Sequence, residues 1–188
     1  MKKLTCVLLL AMANLAASAQ KIVPVIKQGT AINYNFKLHD QQSGLELVVK
    51  KLADTVILNW RLRGFAGGNY VIVPAAFQRA DKLSFTQPVP NQNVVLPADQ
   101  TLFCIISKNA FNNLIKNHSY VYDNTTYDLK DDADQDPLTT SDGQLDVLHV
   151  VARDETTELW ILNNPDFPLI CKIKGNPLGI DFTVSSIK

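Results

Sequence analysis

An acidic segment carries the first spacing that could do chemistry. Asp132, Asp134 and Asp136 occupy positions 1, 3 and 5 of a calcium-loop pattern, in which alternating carboxylates converge on one cation. Position 6, where glycine makes the bend, is Pro137, and position 12, where a bidentate Glu closes the shell, is Gly143. The pattern therefore predicts a solvated acidic loop without a metal, with calcium binding as the open alternative.

The histidines and the remaining acids are scattered. His39, His118 and His149 have no metal-ligand spacing, so we expect each to be solvated or singly hydrogen-bonded. Paired carboxylates across a cleft are what a glycoside hydrolase needs, and three acids are possible partners for such a pair. They are Asp128, Asp146 and Glu158.

Several catalytic signatures are missing from the chain. It has no Gly-x-Ser-x-Gly elbow, His-Glu-x-x-His pair, Cys-x-x-Cys pair or Gly-x-Gly-x-x-Gly loop. Ser185 and Lys188 match Ser-x-x-Lys, but they lie in a strand-like tail and not on a buried helix. The sequence thus predicts no catalytic residue and no cofactor.

The first nineteen residues are typical of an export signal. Lys2 and Lys3 precede an apolar run to Ala13, and Ala17-Ser18-Ala19 is a small-residue cleavage site. That run is shorter than the roughly 20 apolar residues of a membrane-spanning helix. We expect a signal peptide over 1–19, cleavage before Gln20, and a periplasmic or extracellular protein that is not embedded in a membrane.

The length of the remainder, residues 20–188, fits one domain with a substantial core. The chain has 18 basic and 18 acidic side chains, and the leader holds two of the basic ones, which leaves a net charge of −2. Such a balance does not favour nucleic acid as a partner. Cys104 and Cys171 lie in apolar runs, so either a disulfide between them or two separate buried thiols is open.

Period-two alternation is the dominant structural signal. It predicts three meandering strands, over 32–38, 45–49 and 56–62, with a turn at 41–44. Further short strands are expected at 70–73, 82–86, 145–152, 159–162, 169–173 and 180–184, with a hairpin between Tyr120 and Tyr127 and irregular chain at 87–99. One helix is predicted after an N-cap at Ser107, up to Asn117.

These elements predict an α+β, predominantly antiparallel fold: a long curved sheet or half-open barrel with one helix on the concave side. A closed barrel or a β-sandwich is the alternative. We expect four side chains to line the inner face, where they either fill the core or border an apolar ligand cavity. They are Phe36, Leu58, Trp60 and Trp160.

Several short segments carry a family resemblance. They are 58–60, 96–101, 107–111, 158–165 and 168–170, with Leu58-Asn59-Trp60 and Glu158-Leu159-Trp160 among them. Together they resemble uncharacterised exported proteins of Bacteroidota, a family with no assigned activity. The predicted sheet is similar to that of periplasmic lipoprotein carriers, which implies a lipid or hydrophobic ligand by fold analogy alone.

Three functions follow as hypotheses. The leading one is a non-enzymatic exported domain that binds a hydrophobic ligand, such as a lipid, or an envelope protein. The second is a secreted hydrolase that uses paired carboxylates. The third is a structural adaptor of the envelope, whose signature would be an exposed apolar patch.

Overall fold

Fifteen strands and two helices make up the part of the chain that the computed structural model describes, residues 20–38, 41–62, 67–131, 136–153 and 156–188. The signal-peptide region therefore lies outside the described residues, as do His39, Gly64, Asp132 and Asp134. The strands are β1 (Ala31–Leu38), β2 (Gln41–Leu52), β3 (Val56–Leu62), β4 (Gly68–Ile72), β5 (Lys82–Ser84), β6 (Asn93–Val95), β7 (Gln100–Leu102), β8 (Ser119–Tyr122), β9 (Thr125–Leu129), β10 (Thr139–Thr140), β11 (Gly143–Gln144), β12 (Val147–Ala152), β13 (Glu158–Leu162), β14 (Ile170–Lys174) and β15 (Ile180–Ile187). The helices are α1 (Pro74–Arg79) and α2 (Lys108–Asn117).

The predicted meander of β1, β2 and β3 is confirmed. Its strands pair antiparallel, with Tyr34 opposite Leu45 and Leu47 opposite Trp60. The predicted turn at 41–44 is wrong, because these four residues extend β2 and pair with the end of β1. Their composition is typical of a turn, but the hydrogen-bond ladder with β1 outweighs that local preference.

One large sheet organises the molecule. Eleven strands follow the order β6-β4-β3-β2-β1-β15-β14-β13-β12-β9-β8, and every pair except β4 with β6 is antiparallel. The end strands β6 and β8 do not pair with each other, so the sheet is open. The α+β prediction with a long antiparallel sheet is confirmed, and a closed barrel is not what forms.

Strand register gives the sheet two distinct faces. The inner face carries Tyr34, Leu58 and Trp60, whereas the outer face carries Lys172 and Trp160. Bulges interrupt the register at Asn33/Tyr34, Val49/Lys51 and Trp160/Ile161. Each bulge adds a residue to one strand and so bends and twists the sheet locally.

The connection between β4 and β8 covers the inner face and carries both helices. Within it, the Phe103 ring contacts the inner-face ring of Tyr34, with centroids 6.2 Å apart. The predicted N-cap of α2 is confirmed, since the Ser107 side chain accepts a hydrogen bond from the Ala110 backbone N–H. Helix α1 was not expected, because its six residues are too few to show helical periodicity.

Neither helix in the described part of the chain is long and apolar enough to span a membrane.

The hairpin predicted between Tyr120 and Tyr127 is present as β8 and β9. Asp123 and Asn124 form its turn with φ of 50° and 61°, the left-handed pair that a two-residue hairpin turn requires.

Candidate functional site

The inner face is fully covered at one end of β1 and open at the other. Ile32 and Tyr34 are at most 1% exposed, whereas Leu38, on the same face, is 44% exposed. Phe36 lies between them and is half-buried. The apolar alternation of this strand therefore continues past the edge of the packed core.

A strap formed by residues 82–88 crosses the inner face beside this opening. Its strand β5 pairs in parallel with β7, and the Leu83 N–H donates to Asp123 Oδ2 at 3.1 Å. Further along, the Tyr70 hydroxyl donates to the Thr86 carbonyl at 2.8 Å. These hydrogen bonds fix the strap to both halves of the sheet.

Aromatic rings join the strap to the sheet. Phe103 meets the edges of Phe36 and Phe182, with both pairs of centroids 5.4 Å apart. Phe85 of the strap stacks on Phe103 at 6.2 Å. Tilted and edge-on pairs at such distances add to the burial of their area, so this cluster holds the strap above the strands.

Between the strap and the open end of the inner face lies a cleft of about 260 Å³. None of its described lining residues carries a charge, and most are aliphatic or aromatic. We call this site the inner-face cleft; its lining is Phe36, Leu38, Ser43, Leu45, Leu62, Tyr70, Phe85, Thr86, Gln87, Pro88, Phe103 and Ile180. A concave apolar surface with a few polar groups at its rim is the usual form of a small-molecule site.

A second cavity of about 290 Å³ lies on the other side of Phe85. We call it the hairpin cavity, because Asp123, Thr125 and Tyr127 of the β8–β9 hairpin border it together with Asn176. Partial burial raises the pKa of Asp123 above its usual range, opposed by the hydrogen bond from Leu83 N–H. Asp123 is the one charged side chain in the described lining of either cavity.

The four predicted ligand-binding residues lie in three different places in the structure. Phe36 lines the inner-face cleft. Leu58 and Trp60 share its face of the sheet, but they are 0% and 1% exposed and belong to the filled core. Trp160 does not lie on the inner face, and that prediction is wrong: the register puts it on the outer face, opposite His149 and Lys172.

On the outer face Trp160 is held between two basic side chains. The His149 ring stacks on it at 4.3 Å and 9°, and Lys172 Nζ lies 3.9 Å from its ring centroid. Both contacts are typical of structural shielding of an indole by a neighbouring ring and an ammonium group. Trp160 is 1% exposed, so it offers little surface to a ligand.

Ion pairs surround this Trp160 stack. Glu158 bridges His149 Nε2 and Lys174 Nζ, each at 2.9 Å, and Lys172 Nζ lies 2.8 Å from Asp136 Oδ2. The hydrogen bond from Lys174 holds the pKa of Glu158 below its usual range, with a smaller contribution from His149. We call these residues the outer-face network.

A groove of about 600 Å³ on the outer face is larger than either inner cavity. Its polar lining includes Asn35, Lys37, Gln42, Lys172, Lys174 and Thr183. Two of these lysines, Lys172 and Lys174, already have acidic partners within 2.9 Å. The groove is wide, and its lining mixes these polar groups with Asp181 and the apolar side chains of Phe36, Ile173 and Phe182. Its size alone therefore indicates no ligand.

The acids considered for hydrolysis each have another partner. Asp128 forms a two-pronged ion pair with Arg153, and Asp146 accepts from the Asn163 amide at 3.0 Å. Glu158 belongs to the outer-face network. None of the three lines either inner-face cavity, so neither cavity contains a pair formed by these acids.

The described residues also give little support to a metal site or to a reactive thiol. Among the described residues no group of three or more His, Cys, Asp or Glu could hold a metal ion, and Asp136 of the calcium-like pattern pairs with Lys172. Cys104 and Cys171 are buried and unbonded, although the Ile170 N–H donates to the Cys104 carbonyl at 2.7 Å. Burial raises the pKa of the Cys104 thiol to about 12, which makes it a poor nucleophile.

Most of the cleft was missed by sequence reasoning. The alternation of β1 through β3 already carried Leu38, Leu45 and Leu62 on the face of Phe36. Phe85 and Pro88, however, come from a segment expected to be a strand end and irregular chain. No local pattern shows that this segment crosses the inner face.

Comparison of the chain with protein-family models, with curated proteins and with solved structures found no match. The resemblance to exported proteins of Bacteroidota therefore stays a prediction.

Proposed function

We propose that this protein is an exported, non-enzymatic binder of a small hydrophobic molecule, and that the ligand occupies the inner-face cleft. The single observation that carries the proposal is an apolar cleft of about 260 Å³ without a charged group among its described lining residues. Large apolar side chains exposed in a concave site, such as Leu38, are characteristic of binding surfaces.

The volume of the cleft suits one alkyl chain or one small ring system. An apolar cavity of about 150 Å³ is enough to bind benzene. Each methylene group moved from water into the cleft contributes about 0.8 kcal/mol, which is about fourfold in affinity. Affinity for straight-chain alcohols should therefore rise about fourfold per carbon and level off once the chain fills the cleft.

A matched pair of variants tests the location. Ser43 and Gln42 are neighbours on the exposed end of β2, so their side chains point to opposite faces of the sheet. Ser43 lines the inner-face cleft and also borders the outer-face groove, whereas Gln42 lines the groove and not the cleft. Ser43→Phe should fill the cleft and weaken binding of 1-decanol at least tenfold, whereas Gln42→Phe should leave it within twofold.

Isothermal titration calorimetry with 1-decanol is the measurement, and circular dichroism checks that both variants fold. Equal affinity in the two variants would move the ligand away from the cleft. Absence of binding across the whole alcohol series, from 1-hexanol to 1-tetradecanol, would remove the proposal.

The exported location is part of the same proposal and rests on the leader-like residues 1–19. In a bacterial expression host, the recovered protein should begin at Gln20 and fractionate with the periplasm or the medium. Intact mass and N-terminal sequencing measure this. Recovery of a chain that retains residues 1–19 in the cytoplasmic fraction would contradict it.

A further inference from the structure

The two inner-face cavities lie along one row of side chains on the sheet. Across β1, β15, β14 and β13 the register aligns Phe36, Phe182, Ile173 and Leu159 in one row on the inner face. Phe36 lines the inner-face cleft, whereas Ile173 and Leu159 line the hairpin cavity. Phe85 lines both, so the two cavities adjoin at this ring, and a ligand that spans them must turn the ring aside.

The two cavities differ in polarity. The described lining of the inner-face cleft is uncharged, and its polar groups are neutral. The hairpin cavity adds the Asp123 carboxylate, two threonines and the Asn176 amide to its apolar floor. An apolar compartment next to one that carries the Asp123 carboxylate matches a molecule with a hydrocarbon chain and a hydrogen-bond-donating head.

Asp123 is held where it can receive such a head. Its backbone N–H donates to the Asp81 carbonyl at 2.8 Å, and its Oδ2 accepts from the Leu83 N–H at 3.1 Å. Among the described residues no donor reaches its Oδ1. The nearby Lys82 is committed to Asp99 at 2.8 Å, so it does not neutralise Asp123 directly.

We infer that the ligand is a single-chain amphiphile with a cationic amine head, with the chain in the inner-face cleft and the ammonium group in the hairpin cavity beside Asp123. This inference rests on the proposed function. An ammonium group gains a charge-assisted hydrogen bond to the carboxylate. A fatty-acid carboxylate in the same place faces like charges from Asp123 and the neighbouring Asp81.

Three probes of equal chain length separate the head from the chain: dodecylamine, 1-dodecanol and dodecanoate, each below its aggregation concentration at pH 7. Calorimetry on the wild-type protein should rank them amine, alcohol, carboxylate, with about tenfold between amine and alcohol, since Asp123 is partly exposed. Raising the salt concentration should narrow the gap between amine and alcohol.

Substitutions then assign the effect to one carboxylate. Asp123→Asn keeps an oxygen acceptor for Leu83 N–H, and it should lower amine affinity about tenfold to the level of the alcohol. It should leave 1-dodecanol binding unchanged. Asp81→Asn is the matched control, because Asp81 lies beside Asp123 but lines neither cavity, and it should change amine affinity less than threefold.

The outcomes separate the two proposals. Equal binding of all three probes, or tightest binding of dodecanoate, overturns the amine head and leaves the hydrophobic site standing. Absence of binding by every probe overturns both. If Asp123→Asn fails to fold, the ranking of the three heads on the wild-type protein still decides.

Discussion

The two ends of the inner face carry the same kinds of apolar side chain but bury them to different extents. Tyr34, Leu58 and Trp60 are each at most 1% exposed. Around Phe36 and Leu38 the same alternation borders an open cleft. What differs is the cover: at the packed end the chain at Cys104 lies against Tyr34, while at the open end the strap and Phe103 border a cleft.

This difference shows that the cleft is a property of the covering segment and not of the sheet. The strands alone would present a continuous apolar surface from Ile32 to Leu38. Where the cover contacts them, burial of this surface stabilises the fold. Where the cover stands away, the same side chains stay exposed and stabilise the fold less, which is what the proposed binding of a ligand requires.

Thiol reactivity should give the largest contrast between the two ends. Cys104 and Cys171 are buried at the packed end, so labelling by N-ethylmaleimide requires unfolding. With a global stability of at least about 5 kcal/mol, their labelling should be at least about 5,000-fold slower than in denaturant. A Leu38→Cys variant, with its thiol at the open end, should react at nearly the rate of the unfolded chain.

Peptide mass spectrometry over a time course reads all three positions separately. Rapid native labelling of Cys104 or Cys171 would show that the packed end opens locally. If neither reacts even in denaturant without reductant, the two residues form a disulfide, the alternative that the sequence left open.

Side-chain truncation should separate the two ends by the next largest margin. Leu58→Ala leaves a void in a fully covered site and should cost about 2–5 kcal/mol of unfolding free energy. Leu38→Ala removes a side chain that is 44% exposed and should cost less than about 1 kcal/mol. Urea denaturation measures both; similar losses would mean that the open end is packed in solution.

The sequence predicts those elements that depend on residues close together in the chain. It does not predict those that depend on contacts between distant residues. Strands β1 and β3, helix α2 and the β8–β9 hairpin follow from local alternation, an N-cap and turn residues. The face of Trp160 does not, because 159–162 is a continuous apolar run without alternation and a bulge follows Trp160. The course of the strap depends on contacts remote in sequence, such as Phe85 with Phe103 and Tyr70 with Thr86.

A pair of glycines tests how closely the segment beyond the strap approaches the sheet. A Cβ at Gly68 would collide with the Val89 carbonyl oxygen and lie 2.8 Å from the Gln92 oxygen. Gly68→Ala should therefore cost about 1–3 kcal/mol, as overpacking does. Gly44→Ala meets nothing closer than the Tyr34 oxygen at 3.9 Å and should be neutral or slightly stabilising.

Thermal denaturation of the two alanine variants is the measurement. A neutral Gly68→Ala would show that the chain at Val89 moves away from β4 at no cost. In that case 1-decanol affinity in the variant should be compared with the wild type, because the inner-face cleft would then be wider than the structure shows.

The smallest expected effect concerns the outer face, whose charges contrast with the uncharged inner-face cleft. The pKa of Glu158 is held below its usual 4.5 by the hydrogen bond from Lys174, so the folded state binds the proton less tightly than the unfolded chain. Its contribution to stability is therefore complete above about pH 4.5 and is lost as the pH falls through the lowered folded value. Because Glu158 is 24% exposed, solvent screening limits this contribution to below about 1 kcal/mol.

Urea titrations at pH 7 and pH 3.5 measure how much unfolding free energy is lost in acid. This loss should be smaller in Glu158→Gln than in the wild type, whereas Glu46→Gln, which removes the exposed ion pair with Arg61, should behave like the wild type. An unchanged acid loss in Glu158→Gln would mean that the outer-face network does not stabilise the fold, and that the sheet depends on its inner face alone.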